Sequence, residues 1–319
     1  MKDKILIVSG DPNSINSEII YKVWKNLNST LRKKIYFISN FRLINSQFKK
    51  LNYSCKVVSV NNINEKSEFL KIININLKFK NCFNVSNSSA SKFVIKSLNL
   101  AHKLSLNKKV MGMINCPIDK KLLIKNKIGV TEFLAKKCGI KDNSEVMLIK
   151  SNKFSVSPIT THTDVKDISK KINVNLIVKK IKTIELWYKK FLGKKPKIGV
   201  LGLNPHNAEF RKNSEECKII IPAINKLKRL GIKLSGPLVA DTIFVKDYKK
   251  YDIIVGMFHD QVLAPFKALY KFDAINITLG LKYLRSSPDH GTALNLVKKN
   301  MADKTSLLRC VEFLNRFGK

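Results

Sequence analysis

Short apolar runs alternate along this chain with segments whose apolar residues recur at helical spacing. That alternation constrains the fold more than any other feature. Residues 4–9, 34–39, 55–60 and 110–115 read as strands, and residues 17–27, 41–51 and 89–106 as the helices between them. In the first of these helices Ile19, Ile20, Val23 and Trp24 fall on one face. Strands and helices in this order indicate βαβ units and a mainly parallel sheet. The rhythm breaks once, where strand-like residues 145–150 and 153–157 are joined by Ser151 and Asn152, which predicts a hairpin. It resumes with a helix over 174–191, a strand over 197–203, a helix over 216–230 closed by Gly231, and strands over 251–257 and 274–279. Helices over 291–299 and 305–317 close the chain, and the Asn- and Lys-rich stretch 61–87 is expected to be the least structured.

A βαβ protein invites a search for a dinucleotide fingerprint. No Gly-x-Gly-x-x-Gly follows a predicted strand, and Gly199-Val-Leu-Gly202 has the wrong spacing. A nicotinamide or flavin nucleotide, if used, is therefore held by another kind of fold.

Charge raises a different class of function. The chain carries 60 Lys+Arg against 23 Asp+Glu, a formal +37, which suggests a basic nucleic-acid-binding protein. The make-up of the charge argues against that. Only seven of the basic residues are Arg, whose planar fork matches base and phosphate edges, while the chain has 53 Lys and 31 Asn. Lys, Asn and Ile enriched together point to codon bias, and no zinc-finger spacing or aromatic RNA-binding motif occurs. No nucleic-acid partner is expected. No run approaches the roughly 18 apolar residues of a membrane span. The apolar run after Met-Lys-Asp-Lys is too short for an export signal, so the six scattered cysteines are expected as reduced thiols in a cytoplasm.

Chemistry concentrates at the predicted strand ends. His162 follows Pro158-Ile-Thr-Thr, His206 follows Gly202-Leu-Asn-Pro, and His259 ends the strand over 251–257. Open α/β sheets place ligand sites at such ends, and neutral imidazole is the commonest transition-metal ligand. Sequence spacing alone does not prove that the three converge. His290 lies in Ser286-Ser-Pro-Asp-His-Gly-Thr292, and the same segment carries Lys267, Asn276 and Arg285. A cation, an amide and a guanidinium fork suit an anionic, phosphorylated small substrate. Arg285, one of seven arginines and set in a Ser/Pro/Gly-rich loop, is the hardest of these to dismiss.

These strings resemble a known family. Gly10-Asp-Pro12 with Glu18, Asn115-Cys-Pro-Ile-Asp-Lys120, Thr131-Glu-Phe-Leu134, Gly202-Leu-Asn-Pro-His206 with Glu215-Glu216, Gly236-Pro-Leu-Val-Ala-Asp-Thr242, Phe258-His-Asp-Gln261, Thr278-Leu-Gly280 and Arg285 to Thr292 are similar to 4-hydroxythreonine-4-phosphate dehydrogenases, enzymes of pyridoxal phosphate (vitamin B6) biosynthesis. The resemblance implies two α/β/α lobes with a cleft, as in isocitrate and isopropylmalate dehydrogenases, a fold without the Rossmann glycines. It implies a first lobe over 1–125, completed by 286–319, and a second over 126–285 carrying the histidines. A divalent metal (Zn, Mg or Co) would be held by His162, His206 and His259, at the interface of a cytoplasmic homodimer. Thr131, Lys267, Asn276 and Arg285 would contact substrate, with Lys267 a candidate assisting group; cofactor contacts stay unassigned. The implied reaction is NAD- (or NADP-) and metal-dependent oxidation of 4-(phosphooxy)-L-threonine to a β-keto acid, which decarboxylates to 3-amino-2-oxopropyl phosphate.

One departure bears on substrate. Where the family has a substrate-touching His before Thr-Glu-Phe, this chain has Val130, and the loop ahead of it is shorter. An apolar side chain cannot donate to a carboxylate or phosphate. Threonate or erythronate 4-phosphate is therefore the alternative substrate on the same scaffold.

Overall fold

The computed structural model describes residues 2–126, 129–140, 144–271 and 273–318. The shortened loop before Val130 includes residues 127 and 128, which lie outside the described residues. In chain order the first part comprises β1 (Lys4–Val8), α1 (Asn16–Asn26), α2 (Ser29–Lys34), β2 (Ile35–Ser39), α3 (Phe41–Lys50), β3 (Val57–Val60), β4 (Leu70–Asn74), α4 (Asn87–Ser105), β5 (Val110–Asn115) and α5 (Val130–Lys137). The middle part comprises β6 (Val146–Lys150), β7 (Ser155–Pro158), α6 (Ile168–Lys171), α7 (Val174–Leu192), β8 (Ile198–Leu201), α8 (Ile221–Arg229), β9 (Leu234–Leu238), α9 (Ala240–Ile243), β10 (Ile253–Gly256), α10 (His259–Tyr270) and β11 (Ile275–Leu279). β12 (Leu284–Pro288) and α11 (Thr305–Phe317) follow.

Two compact units result, Met1–Gly139 with Leu281–Lys319, and Ile140–Gly280. The expected divisions are 125/126 and 285/286. The observed ones lie at 139/140 and 280/281, because α5 packs on the turn Lys120–Asn126 and β12 pairs with β5, both within the first unit.

The first unit is a wholly parallel sheet in the order β3-β4-β2-β1-β5-β12. Ile5, Leu6, Ile7 and Val8 of β1 are all inaccessible, as expected for a strand covered on both faces, which reads as a continuous apolar run. α4 packs on β1, β2 and β5, while α11 packs on β5 and β12 and buries Leu307, Cys310, Val311 and Leu314. The abundant asparagines have a local use here: Asn28, Asn40 and Asn173 each accept a backbone N–H at 2.9 Å to cap α2, α3 and α7.

The second unit has the order β11-β6-β7-β10-β8-β9. β11, β6 and β7 pair antiparallel and the rest parallel. The predicted hairpin is present, with Ile149 opposite Val156 and Lys150 opposite Ser155. Its core gathers Phe154, Leu201, Phe244, Ile254, Val262 and Phe266 between the strands and α10.

Four local expectations need correction. Residues 61–87 contain β4, a strand between β3 and β2. Its signal is masked by Lys71, which is buried by donating to the carbonyls of Arg32 (3.0 Å) and Ser67 (3.2 Å) and by lying over the Tyr36 ring. Burial lowers that ammonium to about 8. Residues 291–299 form one short turn, Leu294–Leu296, because Ala293 and Lys298 on either side have positive φ. The segment 216–230 opens with a π-helical turn (Glu216–Ile220) before α8. Arg285 lies in the buried strand β12 and not in a loop.

Candidate active site

The three histidines stand beyond the carboxyl ends of three adjacent strands of the second unit. β7, β10 and β8 run parallel, with Gly256 beside Pro158 and Val255 beside Val200. His162 follows β7, His259 is the first residue of α10 after β10, and His206 follows β8. His162 and His259 come together, with ring centres 6.2 Å apart and planes 32° apart. Given metal–nitrogen bonds of about 2.1 Å, two imidazoles on one tetrahedral ion have ring centres roughly 5 Å apart, so this pair is about 1 Å wider than a closed site. Among the described residues no three His, Cys, Asp or Glu side chains already stand at ligand spacing. The donor chemistry nevertheless fits a divalent first-row ion, because imidazole binds such ions in its neutral form. His259 Nδ1 lies 2.6 Å from Asp260 Oδ1. A carboxylate accepts, so Nδ1 is the ring nitrogen that donates to it, and Nε2 is the one left to face a ligand.

The loop carrying His206 is held from several sides. Glu216 Oε1 accepts the N–H groups of Leu203 and Asn204, both at 2.8 Å, and its Oε2 accepts from Asn204 Nδ2 at 3.1 Å. Burial alone would raise this carboxyl, but the hydrogen bonds from Asn204 and Leu203 outweigh it and hold the group below the usual carboxylate range. Asn204 Nδ2 also donates to Glu215. His206, Asn207, Ala208, Glu209 and Phe210 all have positive φ, between 44° and 56°, a run that L-residues rarely adopt. The buried Asn207 anchors that run by donating to the Pro237 carbonyl at 3.1 Å. A Cβ on Gly202 would lie 2.1 Å from Asn207 Oδ1, so glycine at the strand end leaves room for the Asn207 side chain to fold back on it.

The other predicted contacts divide between the units. Lys267 is exposed and lies two turns along α10 from His259, about 12 Å at about 1.5 Å per residue. Asn276 is on β11, with its Oδ1 buried and, among the described residues, without a hydrogen-bond partner. Arg285 and Thr131 meet within the first unit. Arg285 is 3% exposed; its Nε donates to Asn115 Oδ1 at 2.8 Å and its Nη1 to Thr131 Oγ1 at 3.4 Å. Burial pushes the guanidinium down to about 10, which leaves it cationic at neutral pH. Burial pushes the thiols of Cys116 and Cys310 in this unit up, away from the reactive thiolate form.

Several residues that hold the site lie within the motifs but carry no sequence signal of their role. Thr160, Asn204, Glu216 and Gln261 act through backbone hydrogen bonds and Asn115 through the Arg285 side chain 170 residues away, partners that residue spacing does not reveal. Two motif residues prove structural. Glu18 accepts from the Ala302 N–H at 2.7 Å and from Lys22 at 2.8 Å, which pins the segment before α11. Asp11 accepts the Asn13 N–H at 2.9 Å in the turn after β1.

Comparison with known proteins follows the same lines. A family model described as pyridoxal phosphate biosynthetic protein PdxA matches residues 14–314. The chain is 36% identical to the 4-hydroxythreonine-4-phosphate dehydrogenase of Sulfurihydrogenibium sp., over 97% of this chain and 96% of that one. It is 38% identical to that of Hydrogenobaculum sp., over 98% of each. Among solved structures, 4-hydroxythreonine-4-phosphate dehydrogenase from Klebsiella pneumoniae aligns with a TM-score of 0.86 at 25% identity, covering 100% of this chain and 98% of that one. The chain therefore belongs to the 4-hydroxythreonine-4-phosphate dehydrogenase family, oxidoreductases of pyridoxal phosphate biosynthesis.

Proposed function

We propose that this protein oxidises 4-(phosphooxy)-L-threonine with NAD or NADP and a divalent metal, giving a β-keto acid that loses carbon dioxide. The observation that carries the reading is the set of three histidines beyond the ends of three neighbouring parallel strands. His162, His206 and His259 would hold the ion, with the Asp260 carboxylate engaging Nδ1 of His259 and leaving Nε2 as the nitrogen that would meet the metal. When bound, a divalent ion supplies Lewis acidity toward a substrate oxygen.

The chain's own residues bind and orient. Arg285 stays cationic, and Asn115 fixes the plane of its guanidinium, so it presents a directed fork to a carboxylate or phosphate. The Thr131 hydroxyl adds a neutral donor beside it. Asn276 contributes an amide, and Lys267 a cation that offsets negative charge on the substrate and assists movement of the hydroxyl proton. The glycine after β1 serves backbone packing, because a Cβ on Gly10 would meet the Pro117 carbonyl at 2.5 Å. Cofactor contacts are assigned to no residue. We also read the active species as a homodimer.

NAD(P) reduction tests the reading, using 4-(phosphooxy)-L-threonine and threonate 4-phosphate, each with added Mg, Zn or Co and with chelator. We expect metal-dependent turnover, faster with the threonine derivative. Faster turnover of the threonate derivative would transfer the assignment to the alternative that Val130 motivates. No turnover of either with metal present would remove the enzyme reading. Sedimentation tests the dimer.

A further inference from the structure

The three histidine loops are linked through one backbone position. The Met257 carbonyl, just past β10, accepts from both the N–H (3.1 Å) and the hydroxyl (2.8 Å) of Thr160, which ties down the loop leading to His162. The Met257 N–H donates to Gln261 Oε1 at 2.7 Å, and Gln261 Nε2 donates onward to the Gly202 carbonyl at 2.7 Å, at the root of the His206 loop. Gln261 thus uses both ends of its amide. One end serves the start of its own helix, much as a capping side chain would. The other crosses to a different strand end, where nothing about capping requires it. The neighbouring backbone makes room for it: a Cβ on Gly256 would lie 2.8 Å from Gln261 Oε1.

We infer that Gln261 is a positioning residue for the metal site: it fixes the His206 loop against the strand end that carries His259. The inference rests on the metal-binding reading above. Its physical basis is that a site's ligand geometry depends on the groups that hold the ligands, and loss of such support typically weakens metal binding about 10- to 100-fold.

Gln261→Glu separates the two halves of the amide. A carboxylate still accepts from the Met257 N–H, but its second oxygen opposes the Gly202 carbonyl instead of donating to it. The experiment is cobalt(II) titration of the full chain after chelation and dialysis, followed by visible absorption, with thermal unfolding of the metal-free protein alongside. We expect the cobalt Kd to rise about tenfold or more, with altered absorption bands, while the metal-free melting temperature falls by no more than about 4 °C. In a His206→Ala background, titrated at the higher cobalt concentration that two remaining imidazoles need, Gln261→Glu should add little, because the loop it positions no longer carries a ligand. An unchanged Kd and spectrum would overturn the proposal, as would an equal loss with and without His206, which is what general loosening gives. Should Gln261→Glu not fold, Gln261→Asn, one methylene too short to span both partners, is read by the same criteria. Failure of the unsubstituted protein to bind cobalt, or unimpaired binding by His206→Ala alone, removes the metal reading and this proposal with it, and is seen before any Gln261 variant is made.

Discussion

The two units handle functional side chains in opposite ways. In the second, the candidate ligands are imidazoles at the surface, His162 and His206 exposed on loops and His259 partly exposed at the start of α10, and order comes from the backbone beneath them: Glu216 on Leu203 and Asn204, Asn207 on Pro237, Gln261 on Gly202 and Met257. In the first, Arg285 is itself buried in a strand and held by side chains, Asn115 and Thr131. The difference teaches where stability and function are coupled. Removing an exposed imidazole takes away a ligand and little packing. Altering a buried guanidinium disturbs the packing and leaves Asn115 Oδ1 to find another donor.

The sharpest test of that contrast is His206→Ala. Metal bound at concentrations that saturate the unsubstituted protein should fall below detection by elemental analysis, while the metal-free unfolding free energy changes by no more than about 0.5 kcal/mol, as for surface sites generally. A large loss of stability would erase the distinction between the units. Arg285→Lys is the counterpart. It keeps a charge but not the fork, so kcat/KM should fall about 10- to 100-fold, the worth of a charge-assisted hydrogen bond at about 1.5–3 kcal/mol. Here urea unfolding should show a loss as well, about 1–3 kcal/mol, from the unmet Asn115 acceptor. Activity lost with stability intact would mean that Arg285, like the histidines, is structurally dispensable.

The contrast also explains what the sequence made legible. The parallel architecture could be read because strands buried on both faces, such as β1 and β5, are continuous apolar runs. Strand β4 was missed because Lys71 interrupts its run, and β12 because its Leu-Arg-Ser-Ser-Pro looks like a loop until the arginine is seen to be enclosed. His162, His206 and His259 were visible as rare residues after strand ends, and the pairing of His162 with His259 follows from the parallel register of β7 and β10. The clamps were not legible. Glu216 and Gln261 act on backbone groups 12 and 59 residues away, and only the folded register brings those groups to them.

A smaller effect probes the clamps by pH. The Glu216 carboxyl is held below its ordinary value of 4.5, so its ionised form is bound more tightly by the folded chain than by the unfolded one. That contribution is complete above about pH 4.5 and is lost as pH falls through the depressed folded value. Glu216→Gln should therefore cost about 2 kcal/mol at neutral pH, typical of hydrogen bonds to a charged acceptor. The cost should shrink when chemical unfolding is repeated in the acid range below 4.5. A cost independent of pH would assign Glu216 a packing role only.

The smallest expected effect returns to the first unit. Val130 is the first residue of α5, adjacent to Thr131, whose hydroxyl faces Arg285. It is partly exposed and makes no polar contribution, so Arg285 and Thr131 supply the fixed donors of that unit's candidate site. Val130→His adds one donor at the start of a helix, where a neutral imidazole costs little in propensity relative to valine. If that unit recognises the anionic end of the substrate through a few rigid donors, the extra one should lower KM for 4-(phosphooxy)-L-threonine two- to tenfold, about 0.5–1.5 kcal/mol, with kcat nearly unchanged. A fall in kcat with KM unchanged would place position 130 near the reacting carbon instead. A gain confined to threonate 4-phosphate would show that the valine is a specificity choice rather than a lost contact, and that the first unit, despite its rigidity, is where substrate preference is set.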